Sequence, residues 1–141
     1  MNDIYIIGSG GFAKEVYVLI EELGIYSIKG FIDIKETDIK VGSKKVPVIS
    51  EENFIAMNLP SSTNLAIGTG NPNINSRVIK KFNNYSFPNI IHPNVKINTE
   101  YISLGKGNII VAGVIMTTCI DICNFNIFNL SVTVGHDVKI G

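Results

Sequence analysis

The sequence has no excess of charge of either sign. Twelve Lys and Arg stand against twelve Asp and Glu in 141 residues. That balance argues against a general binder of nucleic acid or of an anionic membrane, which needs a basic excess or cluster. No run of about eighteen apolar residues is present, so no membrane-spanning segment is expected. The start, MNDIYIIGSGG, lacks a basic stretch followed by a long apolar core and a cleavage site, so no signal peptide is expected. Cysteine is scarce, with only Cys119 and Cys123. Without a secretory context these read as reduced thiols of a cytoplasmic protein, serving as small hydrophobes on strands. No second Cys or His pair accompanies them at zinc spacing, so no metal site is expected. Histidine is as scarce, at positions 92 and 136.

What is present falls into two halves with different periods. In the first, IYII (residues 4–7) is a short apolar run ended by glycine, the pattern of a buried parallel strand. A helix is expected from about Ala13 to Leu23, with Val16, Leu19, Ile20 and Leu23 on one face and Gly24 as its stop. IKGFID supplies a second strand. Ser50 is placed to cap a helix over Glu51 to Met57, which has two acidic residues in its first turn. NLAIG is a third strand, and Asn71 caps a helix that starts at Pro72 and runs toward Phe82. Strand and helix alternating three times describe a small Rossmann-like α/β unit with a parallel sheet.

From NIIHPNV onward no helical pattern remains. An apolar residue recurs every six positions at Leu104, Ile110, Met116, Ile122, Phe128, Val134 and Ile140. A second register repeats every eighteen: ISLGKGN, IDICNFN and VKIG, with Asn108 and Asn126 in equivalent places. Three hexads per eighteen residues describe a triangular parallel β-helix, one short strand per face. Its Asn residues should stack at one corner, about 4.8 Å apart per coil. The register slips by one residue around Asn98 to Tyr101, so the first coil, with Val95 and Ile97, is expected to be irregular. The division expected is an α/β domain over residues 1–88 and a β-helix over 89–141.

Two motifs carry chemistry. GSGGFA fits G-x-G-x-x-A through Gly8, Gly10 and Ala13, between a strand and a helix, with Asp33 twenty residues on. Such a loop lets backbone approach phosphates at a helix N-terminus, though a tight turn alone would also use it. The β-helix tail argues against a NAD-dependent enzyme, which needs a second mononucleotide half or a catalytic domain. The second motif is TVGHD. An imidazole is suited to take a proton from an attacking amine or hydroxyl at neutral pH. A surface histidine at a corner is the alternative reading of His136. Asp137 points away from it in an extended strand and toward it only at a tight corner. His92, before Pro93, reads as structural.

Together, IYIIGSGGFAKEV, GFIDIKETDIKVGSKKVPVI, AIGTGNPNINSRVIKKF and NLSVTVGHDVKIG resemble the bacterial hexapeptide-repeat sugar O- and N-acetyltransferases. The similar subgroup is the sialic acid O-acetyltransferase-like one, which includes the acetyltransferases of bacillosamine synthesis. The resemblance implies a nucleotide-sugar-binding domain followed by a left-handed β-helix. It implies acetyl transfer from acetyl-CoA to an amine or hydroxyl of a UDP-linked sugar, without a metal. Gly8, Ser9, Gly10, Gly11 and Phe12 would form the nucleotide loop. Asp33, Ile34 and Lys35 would lie along uracil and ribose, and Gly68 and Asn71 would close the end of the third strand. His136 would be the general base, with Asp137 orienting it. Members assemble as homotrimers with active sites between subunits. Apolar faces around Phe125, Ile127 and Phe128 are expected to mark such an interface.

Members continue for several coils past the position of Gly141. The expectation is a fragment of a longer gene product, with natural truncation as the alternative. The rival function is a catalytically incomplete nucleotide-sugar-binding protein.

Overall fold

A computed structural model describes all 141 residues, which divide into two compact units, Met1–Phe87 and Pro88–Gly141. The first contains strands β1 (Asn2–Ile7), β2 (Tyr26–Asp33), β3 (Thr37–Val41), β4 (Lys44–Ser50) and β5 (Asn64–Ile67). Its helices are α1 (Gly11–Leu23), α2 (Glu51–Ala56) and α3 (Pro72–Lys81). The sheet order is β3-β4-β2-β1-β5. β1 runs parallel to both β2 and β5, and β2 parallel to β4. The chain therefore winds outward from β1 through β2 to β4, then crosses back to place β5 on the other side of β1. The strand order reverses between β1 and β5, and the crevice at the carboxyl ends of such strands is where α/β sheets bind ligands.

The helix signals act where the sequence put them. Gly24 ends α1 in the left-handed region (φ 69°). The Ser50 side chain accepts the Asn53 N–H at 3.1 Å. Asn71 accepts from Asn73 and Ile74 at 3.0 and 3.3 Å, ahead of Pro72. Both sheet faces are covered. On one, Tyr17 of α1 packs on Phe31, ring centroids 5.8 Å apart. On the other, Tyr5 meets Phe54 edge-on at 5.0 Å, and Phe54 meets Phe82 at 5.8 Å. β3 and β4 correct the sequence-based outline, which counts three strands: β4 adds to the parallel sheet beside β2, and β3 pairs antiparallel with β4 and forms the sheet edge.

The second unit is a parallel β-helix of eight short strands. They are β6 (Ile90–Ile91), β7 (Ile102–Leu104), β8 (Ile109–Ile110), β9 (Ile115–Met116), β10 (Ile120–Ile122), β11 (Ile127–Phe128), β12 (Thr133–Val134) and β13 (Val138–Ile140). They stack as β13-β10-β7, β11-β8-β6 and β12-β9. Partners lie eighteen residues apart, as in Ile102, Ile120 and Val138. In the first coil the spacing is nineteen, with Ile90 opposite Ile109 and Lys96 opposite Ile115. The extra residue falls between Lys96 and Ile102, where the register slip was expected.

The six-residue set faces inward. Ile110, Met116, Ile122, Phe128 and Val134 are buried, and Leu104 and Ile140 pack against them. The corners repeat every six residues as well. Gly107, Gly113, Cys119, Phe125, Ser131 and Asp137 all have φ between 55° and 79°. The asparagine ladder has one more rung than the repeat indicated. Asn89 Oδ1 accepts the Asn108 N–H at 2.9 Å, and Asn108 Oδ1 accepts the Asn126 N–H at 2.9 Å. Asn108 is fully buried, and its amide nitrogen also donates to the Cys123 carbonyl at 2.8 Å. Phe128 is buried and Ile127 half-buried. The exposed apolar side chains of this unit are instead Tyr101, Ile115, Leu130 and Val132. Phe128 belongs to the inward hexad set, which is why it leaves no outer face.

No helix is long and apolar enough to cross a membrane.

Candidate functional sites

At the β1/β5 reversal the α/β unit has a cleft of about 460 Å³. Its floor depends on two glycines. Gly8 has φ +107°, and a Cβ there would sit 2.8 Å from the Gly68 carbonyl oxygen. A Cβ on Gly68 would lie 2.5 Å from Ile6 Cγ2. Both glycines are thus required by the close approach of β1, β5 and α1. Gly10 and Gly11 differ, because a Cβ on either would meet nothing within 4 Å. The fold leaves that space open above the start of α1. Gly10 is the N-cap of α1 and brings no side chain to cap it, so the first N–H groups of the helix face the cleft end unpaired by a side chain.

The cleft gathers Gly8, Ser9, Gly10, Gly11, Phe12, Asp33, Ile34 and Gly68. Lys35 and Asn71 do not line it, and Asn71 serves as the cap of α3. Asp33 is held on both oxygens: the Ser9 hydroxyl donates to one, and the Ile34 N–H to the other at 2.7 Å. Ile34, 70% exposed, and Ile74, 41% exposed, offer apolar surface at the cleft walls.

The sequence reading missed the α3 side of the cleft. Glu51 and Arg77 line it, 26 residues apart in the chain. Arg77 Nη1 and Nη2 donate to the two Glu51 oxygens at 2.8 Å each, and Lys81 Nζ donates to Oε1 at 2.9 Å. Glu51 is only 7% exposed. The Arg77 hydrogen bonds, assisted by Lys81, outweigh the cost of burial and bring its carboxyl pKa down from 4.5 to about 2. The available signal was the spacing on α3, where Ile74, Arg77, Val78 and Lys81 share one face.

The second site lies on the β-helix. Val134 ends β12 facing inward, and Asp137 takes the left-handed corner at φ 58° before β13. Aspartate tolerates that region better than most residues. The corner breaks the alternation of an extended strand and brings the neighbouring side chains together. His136 Nδ1 lies 2.7 Å from Asp137 Oδ2. A carboxylate only accepts, so Nδ1 carries the proton and the lone pair of the neutral ring sits on Nε2. The imidazole is 78% exposed. Beside the corner a recess of about 400 Å³ is lined by Cys119, Asp121, Asp137, Val138 and Lys139. His92 makes a local turn instead, its Nδ1 2.9 Å from Asn94 Oδ1 and 3.1 Å from the Asn94 nitrogen. No three His, Cys, Asp or Glu side chains are grouped to hold a metal ion.

The family model of the PglD N-terminal domain matches residues 3–82, more than half of the chain. The chain belongs to that family. No curated protein matches it by sequence. Solved structures share the fold over both units. The acetyltransferase domain of PglB from Neisseria gonorrhoeae, in complex with acetyl coenzyme A, aligns at TM-score 0.86 and 24% identity, over 98% of this chain and 66% of that one. PerB from Caulobacter crescentus, in complex with CoA and GDP-perosamine, aligns at TM-score 0.80 and 23% identity, over 99% and 65%. WeeI from Acinetobacter baumannii aligns at TM-score 0.78 and 22% identity, over 99% and 66%. This chain spans about two thirds of the length of each.

Proposed function

We propose that the protein is an acetyl-CoA-dependent acetyltransferase acting on an amine or hydroxyl of a nucleotide-linked sugar in the cytoplasm. The observation that carries this reading is the His136–Asp137 pair, a base and its orienting carboxylate held at an outward corner of a β-helix. His136 Nε2 takes the proton from the attacking nitrogen or oxygen. The new bond forms to the acetyl carbonyl carbon, the C–S bond breaks, and the imidazolium returns the proton to the departing CoA thiolate. The Asp137 carboxylate stabilises the imidazolium between these steps. The α/β cleft holds the nucleotide, with phosphates over Gly10 and Gly11 and the nucleoside along Asp33 and Ile34. Gly10 and Gly11 support that placement, since the fold itself leaves the space above them empty. UDP is the nucleotide we assign, while PerB is in complex with GDP-perosamine. The protein works as a homotrimer.

A thermal-shift series with UDP-sugar, GDP-sugar and NAD tests the cleft. Ligand at a hundredfold excess over Kd stabilises the native state by about 2.7 kcal/mol. UDP-sugar is expected to stabilise and NAD to have no effect. Stabilisation by GDP-sugar alone changes the base, and stabilisation by NAD alone overturns the assignment. Cleft binding without thiol release from acetyl-CoA supports the binding-only alternative.

A further inference from the structure

The cleft is short of positive charge for a diphosphate. Its lining carries the carboxylates of Asp33 and Glu51 and a single cationic side chain, Arg77. Asp33 is committed to Ser9 and to the Ile34 N–H. Glu51 is buried and accepts from Arg77 and Lys81, so that trio is net positive by one charge. Arg77 uses two of its five guanidinium N–H groups on Glu51, through Nη1 and Nη2. Three donors remain on a side chain that is 45% exposed, against 7% for Glu51. The end-on, two-point contact also removes most of the rotational freedom of the guanidinium. An arginine fixed in this way, with unused donors at a cleft that opens over an uncapped helix start, suits an anion with several oxygens.

We propose that Arg77 is the diphosphate contact of the cleft and that Glu51, backed by Lys81, is its positioning residue. This rests on the nucleotide-sugar reading above and adds the group that recognises the phosphates. Glu51 keeps the guanidinium at one place, Lys81 keeps the local charge positive, and the N–H groups at the start of α1, which line the same cleft, meet the same anion. Without Arg77 the lining would be left with carboxylates alone and would repel a diphosphate.

The test is calorimetric binding of uridine, UDP and inorganic pyrophosphate to the wild-type chain and to Arg77→Gln, Arg77→Lys and Glu51→Gln. A charge-assisted contact accounts for roughly 10- to 100-fold in affinity. Arg77→Gln should weaken UDP and pyrophosphate by that order and leave uridine unchanged. Arg77→Lys should recover part of the loss. Glu51→Gln keeps the cation but loosens it, and should weaken UDP by less. If Arg77→Gln does not fold, the paired Glu51→Gln/Arg77→Gln variant replaces the ion pair with two amides and serves in its place. Equal losses for uridine and UDP would make Arg77 a structural residue and overturn the proposal, as would unchanged UDP affinity. Wild-type chain that binds pyrophosphate through Arg77 but no nucleoside diphosphate sinks the functional reading and leaves this contact standing. Wild-type chain that binds neither pyrophosphate nor UDP refutes the contact itself.

Discussion

Consider acidifying the α/β unit. The Glu51 carboxyl has its pKa lowered from 4.5 to about 2 by Arg77 and Lys81. A lowered folded-state pKa means the unfolded chain binds the proton more readily. The stabilisation is therefore complete above the unfolded value and is lost as pH falls through the folded one, between about pH 5 and pH 2. A shift of that size corresponds to about 3 kcal/mol, reduced somewhat because Arg77 and Lys81 are partly exposed. Glu51→Gln removes the titrating group, so its stability should be flat where the wild type loses this increment. The variant should be less stable by about 2–3 kcal/mol at pH 7 and converge on the wild type near pH 2. All three helices lie in the first unit, so ellipticity at 222 nm reports on that unit during urea unfolding. Urea titrations at pH 7, 5, 4, 3 and 2 give the two curves. Parallel curves with a constant offset would refute the assignment of this increment to Glu51.

Other perturbations act elsewhere. Gly68→Ala should lower the melting temperature sharply, because its Cβ would sit 2.5 Å from Ile6 Cγ2, whereas Gly10→Ala should leave stability nearly unchanged and reduce nucleotide affinity. Asn108→Ala breaks the ladder between Asn89 and Asn126 and removes the partners of the half-buried Asn126 N–H and of the Cys123 carbonyl, which should destabilise the β-helix by about 1–3 kcal/mol in denaturant titrations. If the protein forms the homotrimer proposed above, replacing exposed Ile115 and Leu130 with Lys should lower its mass in light scattering, and an unchanged mass would move the interface elsewhere.

The parts legible in the sequence were those set by local period. A side chain that must point into a three-sided prism recurs every six residues, so Leu104 through Ile140 marked the β-helix core, and the slip near Asn98 marked the nineteen-residue coil. Caps were legible too, because Ser50 and Asn71 bond within three residues. Long-range pairing was not. The Glu51–Arg77 contact spans 26 residues and depends on α2 and α3 meeting at one end of the sheet. The TDIKV strand β3 alternates polar and apolar residues, but its antiparallel partner gives it away only in three dimensions. The His136–Asp137 contact hung on one dihedral, since an extended Asp137 would have turned its carboxylate away.

The most direct test of the proposed chemistry is steady-state acetyl transfer by the protein, followed by CoA thiol release with a nucleotide-linked amino sugar as acceptor. Removing a general base costs roughly a hundredfold to ten-thousandfold in rate. His136→Ala should lower kcat by that order while calorimetric affinity for the nucleotide sugar stays close to wild type, and Asp137→Asn should cost less. Wild-type kcat in His136→Ala would contradict the account and return His136 to an ordinary corner residue.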